Sequence, residues 1–209
     1  MALRALGLPK LLLVVSALLL TFTSFANAQP ATQPSAADAK RRFLDAAQKA
    51  SAPTEQHKLL NTFVGEFDQM TEVRLGRSDP MKFHSTAKGK AIMDGRFVQF
   101  ESNAAPEEPA PSERIVMYGY DPAAGKFTLW NIESMSLTAA TATGEYDAAT
   151  KTFTFNGERD APGMPGRQPF RWVIQVKPDA SLSQDILIKP PGSEQFVPVV
   201  HVEHKRTGK

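Results

Sequence analysis

Residues 81–102 read MKFHSTAKGKAIMDGRFVQFES. Small or apolar residues alternate with polar ones from Met81 to Met93, which is the period of a β-strand. Asp94-Gly95 follows, a pair that suits a type I′ turn because both central residues need positive φ. Arg96 to Ser102 forms the second strand. The stretch predicts a β-hairpin, and the small residues on one face of its first strand predict a strand that either curls or approaches another backbone closely.

A repeat in the middle of the chain predicts that neighbouring strands follow one another. Tyr120-Asp121 is followed by Phe127-Thr128-Leu129, and Tyr146-Asp147 is followed at the same spacing by Phe153-Thr154-Phe155. Each unit predicts the end of one strand, a turn and the start of the next strand. Aspartate suits the first position of such a turn because its carboxylate can accept a bond from the backbone two residues on. Two such units in a row favour a meander over βαβ crossovers.

The same period predicts further strands at residues 168–176, 183–188 and 195–205. This brings the expected number to about nine or ten between Gly65 and the C-terminus. A long sheet with one apolar face tends to close on itself because closure removes its edges. We therefore expect a mainly all-β chain that forms a single antiparallel up-and-down β-barrel. Barrels of this size either fill with side chains or enclose one small ligand.

Two short helices are predicted before the barrel. Residues 37–50 have helical character, with apolar positions on one side. Thr54 is a suitable N-cap for a second helix over residues 55–61, with Leu59, Leu60 and Phe63 turned inward.

The first 28 residues have the three parts of a secretory signal peptide. Arg4 and Lys10 precede an apolar run over residues 11–22, and Ala26-Asn27-Ala28 closes it. We expect cleavage after Ala28 and a periplasmic or secreted protein. The run is shorter than the about 20 apolar residues that a transmembrane helix needs, so no stable membrane insertion is expected after cleavage.

The remaining chain has the size of one domain. We expect a signal peptide over residues 1–28, a flexible leader with a helix over 29–53 and a barrel domain over 54–207. The sequence has 24 lysines and arginines, two of them in the predicted signal peptide, so that 22 basic side chains balance 22 acidic ones in the rest. This balance gives no electrostatic reason to expect nucleic acid as a partner. The chain has no cysteine, which excludes disulfides, a cysteine nucleophile and thiolate metal sites.

Several short motifs resemble those of the DUF1579 family, whose function is unknown. They begin with His57-Lys58-Leu59-Leu60 and Val64-Gly65-Glu66-Phe67 and occur in the family's order over residues 54–206. The chain differs from the family pattern at Phe67, where a tryptophan is usual, and at residues 131–133. The resemblance implies a calycin-like, that is lipocalin-like, β-barrel and supplies no catalytic residues. The remaining motifs are Asp94-Gly95-Arg96-Phe97-Val98, Gly119-Tyr120-Asp121, Trp130 with Glu133-Ser134, Gly144-Glu145-Tyr146-Asp147 and His204-Lys205-Arg206.

The common catalytic and metal-binding patterns are not found. His201 and His204 are three residues apart, and such residues point to opposite faces of a strand. His201 and Glu203 share a face, but a zinc site needs three or four ligands. The sequence also lacks a G-x-S-x-G motif and a glycine-rich phosphate loop. We predict no metal, no cofactor and no catalytic residue, and we expect all four histidines to lie at the surface or to cap helices.

Large aromatic and sulfur-containing side chains on neighbouring strands are the strongest remaining signal. They predict either a packed core or a cavity for a small apolar molecule. We favour an exported protein that binds a small hydrophobic or amphipathic ligand inside the barrel. The alternatives are a hydrolase or isomerase acting in the cavity, and a filled barrel that serves as a protein-interaction module. The candidate cavity residues are Phe100, Tyr118, Trp130, Met135 and Trp172.

Overall fold

The structure is a computed structural model that describes residues 35–74, 76, 79–108, 112–160 and 166–208. The predicted signal peptide, with its cleavage site after Ala28, lies outside the described residues, and so do residues 29–34 of the predicted leader. The chain divides into two units between Ala47 and Gln48. Helix α1 (Ala36–Ala50) is present where a helix is predicted, and the Ser35 hydroxyl accepts a hydrogen bond from the Asp38 amide at 3.1 Å. None of the described helices has the length and apolar character to cross a membrane.

The second predicted helix forms as two short pieces, α2 (Glu55–Leu59) and a 3₁₀-helix (Leu60–Phe63). Thr54 is the N-cap of α2, as predicted, and its amide also donates to Nδ1 of His57 at 3.0 Å. Leu60 and Phe63 are buried, as predicted. The expectation that Leu59 also turns inward is wrong, because its side chain is 36% exposed. Residues three apart lie on the same face of a 3₁₀-helix, so Leu60 and Phe63 point the same way and Leu59 does not.

Ten strands close into one antiparallel up-and-down barrel, as the sequence predicts. Each strand pairs with its successor in the chain, and β10 pairs with β1 to complete the ring. The strands are β1 (Gly65–Val73), β2 (Met81–Ile92), β3 (Phe97–Ala104), β4 (Glu113–Asp121), β5 (Lys126–Glu133), β6 (Ala140–Asp147), β7 (Thr152–Asp160), β8 (Arg167–Val176), β9 (Leu182–Ile188) and β10 (Val197–Gly208).

The predicted first hairpin is formed by β2 and β3, but its turn is longer than expected. Ile92 pairs with Phe97, so four residues connect the strands in place of two. Asp94 and Gly95 have the positive φ values expected of them, 57° and 82°, and Met93 shares this conformation with φ of 50°. The extra residue in the left-handed region widens the predicted type I′ turn.

The small face of β2 lies against the helical segment that precedes β1. A Cβ atom added to Gly89 would lie 1.7 Å from the carbonyl oxygen of Phe63, which only a glycine avoids. Of the two alternatives, the close approach to another backbone is thus confirmed at Gly89. It places the 3₁₀-helix across the end of the barrel at which β1 begins.

The two repeated motifs form the β4–β5 and β6–β7 hairpins. Oδ1 of Asp121 accepts a hydrogen bond from the Ala123 amide at 2.9 Å, and Oδ1 of Asp147 accepts one from the Ala149 amide at 2.8 Å. Both carboxylates thus bind the backbone two residues on, as the sequence predicts.

Candidate functional site

The 3₁₀-helix closes the end of the barrel at which β1 begins, which we call the capped end. The interior is aromatic at this end. Phe63 from the 3₁₀-helix stacks on Tyr118, with ring centroids 4.1 Å apart, and also contacts Phe153 at 5.2 Å. Phe67 and Phe100 continue this cluster along β1 and β3, with centroids 5.5 Å apart. All five side chains are buried. Complete burial raises the pKa of the Tyr118 hydroxyl, which keeps it protonated.

Beyond the aromatic end, the next inward-facing positions along several of the strands are polar. Alternation along each strand puts these residues on the face that carries the core: Gln69 follows Phe67, Ser102 follows Phe100, and Gln184 lies between Leu182 and Ile186. Buried polar groups normally have hydrogen-bond partners, so each polar atom of this layer is expected to have one. Its buried members are Gln69, Ser102, Asn131, Gln168, Gln184 and His204.

His204 is the central titratable group of this polar layer. Its Nδ1 lies 2.8 Å from Nε2 of Gln69, and the Oε1 atom of the same amide accepts a bond from Ser85 at 2.9 Å. Its ring meets those of Phe67 and Phe100 edge-on, at 6.2 and 5.9 Å. Burial, with a smaller contribution from the charge of Arg114, lowers the pKa of His204 to about 3. The imidazole is therefore neutral at physiological pH.

Three charged side chains occupy the inward face near the uncapped end. Nη2 of Arg159 lies 2.6 Å from Oε1 of Glu133, and Nε of Arg114 lies 3.6 Å from Oε2 of the same carboxylate. The second distance is too long for a hydrogen bond. All three side chains are less than a quarter exposed: 16% for Arg159, 17% for Glu133 and 24% for Arg114.

Five buried polar atoms have no hydrogen-bond partner among the described residues. All five belong to side chains that face the interior, on β4, β5, β8, β9 and β10. Leaving a buried donor or acceptor unpaired costs about 1–3 kcal/mol. Five such atoms on the inner face therefore indicate that a bound molecule could supply their hydrogen-bond partners. The atoms are Nε of Arg114, Oδ1 of Asn131, Nε1 of Trp172, Nε2 of Gln184 and Nε2 of His204.

A family model described as "Protein of unknown function (DUF1579)" matches residues 52–206. The chain belongs to the DUF1579 family. The resemblance seen in its motifs is thus confirmed. A search of curated proteins found no match.

In this DUF1579 barrel, three of the five predicted cavity residues share the interior. Phe100, Tyr118 and Trp172 are buried, at 4%, 2% and 1% exposure, and face inward. The expectation that Trp130 and Met135 join them is wrong. Leu129 and Asn131 face inward, so alternation turns Trp130 outward, where it is 41% exposed. Met135 follows the end of β5 and is 80% exposed.

The outward Trp130 lies in a shallow depression on the outer wall of the DUF1579 barrel. The depression has a volume of about 490 Å³ and is bordered by Phe97, Met117 and Thr141. Arg171, which precedes Trp172, also points outward, where its guanidinium lies 4.5 Å from the ring centre of Phe196. Arg171 and Trp172 therefore occupy opposite faces of β8.

Two histidines lie on the outer wall, paired with carboxylates. Nε2 of His84 lies 2.5 Å from Oδ1 of Asp68, and its Nδ1 lies 2.7 Å from Oε1 of Glu107. These bonds raise the pKa of His84 to about 9. His201 lies 2.8 Å from Asp185 on the same outer surface.

The expectation that all four histidines lie at the surface or cap helices is confirmed for three of them and wrong for one. His57 caps α2, and His84 and His201 lie at the surface. The expectation that His204 does the same is wrong, because this residue lies inside the barrel at 3% exposure. Among the described residues, no group of three or more His, Asp or Glu side chains is placed to hold a metal ion.

The polar interior was not identified from the sequence. A signal for it does exist: Gln69, Gln184 and His204 each occur two positions from an apolar residue of the core. On a strand, that spacing puts the polar and apolar side chains on one face.

Proposed function

We propose that this protein binds one small amphipathic molecule inside its barrel. The observation that carries the proposal is the set of five unpartnered polar atoms, all on inward-facing side chains. A ligand with polar atoms at this layer would supply the missing hydrogen bonds. Relief of unpaired groups that each cost about 1–3 kcal/mol would contribute strongly to affinity.

We infer room for a ligand from the strand number and the side chains. Eight-stranded barrels are just wide enough to be filled or to hold one small ligand, and a barrel's diameter grows with each added strand. This ring has ten strands. Ser85 and Ala87 on β2, and Ala140 and Ala142 on β6, are short side chains on well-separated parts of the wall.

The apolar part of the ligand would lie against the aromatic end. Phe67, Phe100 and Trp172 are buried inside the barrel, and the rings of Phe67 and Phe100 contact His204 of the polar layer. Burial of apolar ligand surface contributes about 25 cal/mol per Å² before the costs of association are subtracted. A molecule with an apolar body and a polar end would therefore satisfy both layers at once.

We also propose that the protein is exported. The basis is the sequence of residues 1–28, with its basic start, apolar run and Ala26-Asn27-Ala28 site. A binding protein in the periplasm or outside the cell would meet small molecules before they reach the cytoplasm.

Native mass spectrometry of protein purified from its own host tests the binding proposal. We expect a mass above that of the polypeptide, and a loss of that extra mass after unfolding in urea and refolding. The melting temperature should fall on stripping and return when a host extract is added back. A bare polypeptide mass, with no shift in melting temperature across a panel of lipids and metabolites, would contradict the proposal and favour a filled barrel.

A further inference from the structure

The unpartnered atoms of the interior are mostly donors. Arg114 Nε, Trp172 Nε1 and Gln184 Nε2 each carry a hydrogen and lack an acceptor. Asn131 Oδ1 is an acceptor that lacks a donor. A ligand group that accepts several hydrogen bonds fits this set better than one that donates them.

His204 adds a fourth donor, and its tautomer follows from its neighbours. Ser85 donates to Oε1 of Gln69, which turns the amide nitrogen of Gln69 toward the imidazole. Nδ1 of His204 therefore accepts that bond, and the single proton of the neutral ring lies on Nε2. Nε2 is the unpartnered atom of this side chain.

The charged side chains of the interior have a net positive charge. The inward-facing positions of the described strands carry Arg114, Arg159 and Arg206 against Glu133 alone. Arg206 already has hydrogen-bond partners at the capped end, where its guanidinium donates to the carbonyl oxygens of Val64 and Thr62. Arg159 is paired with Glu133 at 2.6 Å. Arg114 is left with a long contact of 3.6 Å and an unpartnered Nε.

We propose that the polar group of the ligand is a carboxylate, held by Arg114 and the neutral donors of Trp172, Gln184 and His204, so that the protein binds a monocarboxylic acid with an apolar body. This rests on the proposed function and narrows it to one ligand class. An ionised carboxylate only accepts hydrogen bonds and has about four lone-pair sites on its two oxygens, which matches four donors. One negative charge also matches the one arginine whose charge is incompletely paired.

A single-tryptophan variant gives a direct reporter of the interior. The chain has two tryptophans, and Trp130 lies on the outer wall, so that Trp130→Phe leaves Trp172 as the only one. In this variant, we would titrate octanoate, methyl octanoate and octan-1-ol and record the tryptophan fluorescence. The three probes share an apolar tail and differ in the charge and hydrogen-bonding capacity of the polar end.

We expect octanoate to change the Trp172 fluorescence and to bind at least tenfold more tightly than the ester or the alcohol. If the ester or the alcohol binds as tightly as the acid, the interior binds amphipathic molecules and the carboxylate inference is wrong. If none of the three alters the fluorescence at millimolar concentration, and none shifts the melting temperature, the binding proposal itself is contradicted. The two failures are thus distinguishable.

Paired arginine variants test the role of Arg114. We expect Arg114→Met to weaken octanoate binding at least tenfold and to leave ester binding unchanged. The matched control is Arg171→Met, which removes an arginine from the outer face beside Trp172 and should change neither. Equal octanoate affinity in Arg114→Met and wild type would overturn the assignment. Should Arg114→Met fail to fold, the acid-to-ester affinity ratio in Trp130→Phe alone decides the proposal.

Discussion

Gln69 on β1 and His204 on β10 form a buried pair, with Nε2 of the first 2.8 Å from Nδ1 of the second. The two residues are also register partners across the seam at which the first and last strands close the ring. The hydrogen bond that fixes the imidazole tautomer therefore also spans the closure of the barrel. Through this pair, the integrity of the fold and the donor chemistry of the interior depend on the same side chains.

Loss of this pair should destabilise the protein. Gln69→Leu leaves Nδ1 of His204 and the Ser85 hydroxyl without their partner, and we expect a loss of about 1–3 kcal/mol in the free energy of unfolding. Urea unfolding gives the value. The control is Gln175→Leu on the exposed face of β8, which should change stability by about 0.5 kcal/mol or less. Equal losses in the two variants would show that the buried pair has no special role.

The ion pairs of His84 predict a pH-dependent contribution to stability. Asp68 and Glu107 raise the pKa of His84 from 6.5 to about 9, so the folded protein holds this proton more tightly than the unfolded chain. The stabilisation is therefore full below pH 6.5 and is lost as the pH rises through about 9.

Melting temperatures of the wild type and of His84→Gln between about pH 6 and pH 10 measure this contribution. We expect the wild type to exceed the variant most at the acidic end, and the difference to vanish above about pH 9. His201, which is present in both proteins, cancels in the comparison. A difference that stays constant across this range would contradict the assignment.

The barrel could be predicted from the sequence because its signals are local. The alternation in β2, the two Asp-started turns and the Thr54 cap each depend on residues that are close in the chain. The first hairpin shows the limit of this reasoning. Whether Met93 joins Asp94 and Gly95 at positive φ depends on the register between β2 and β3, which the dipeptide alone does not determine.

The polar positions of the interior have a local signal, but their contacts could not be predicted because they join residues that are distant in the chain. Arg159 on β7 meets Glu133 on β5, with β6 between them in the ring, and Gln69 meets His204 across the seam. The outward position of Trp130 had a local signal in its inward neighbours Leu129 and Asn131, but a large aromatic residue on a strand more often belongs to a core.

Export predicts a defined N-terminus for the mature protein. Cleavage after Ala28 would leave Gln29 as the first residue, and intact-mass measurement of the protein from its host gives the position directly. We expect Ala28→Arg to block cleavage, because the site requires small residues, and Asn27→Ser to leave it unchanged. A mature product that retains residues 1–28 would contradict the proposal.

An added methyl group should be costly at Gly89, the one glycine of β2. Its Cβ would lie 1.7 Å from the carbonyl oxygen of Phe63, a backbone atom that moves only if the cap is displaced. We expect Gly89→Ala to lower the free energy of unfolding by about 3 kcal/mol, the upper range for overpacking. Gly95→Ala is the control: φ there is +82° but the added atom meets nothing within 4 Å, so strain of about 1 kcal/mol is expected. Urea unfolding of both variants measures the two losses. A loss for Gly89→Ala that is smaller than the loss for Gly95→Ala would contradict a tight contact between the 3₁₀-helix and β2.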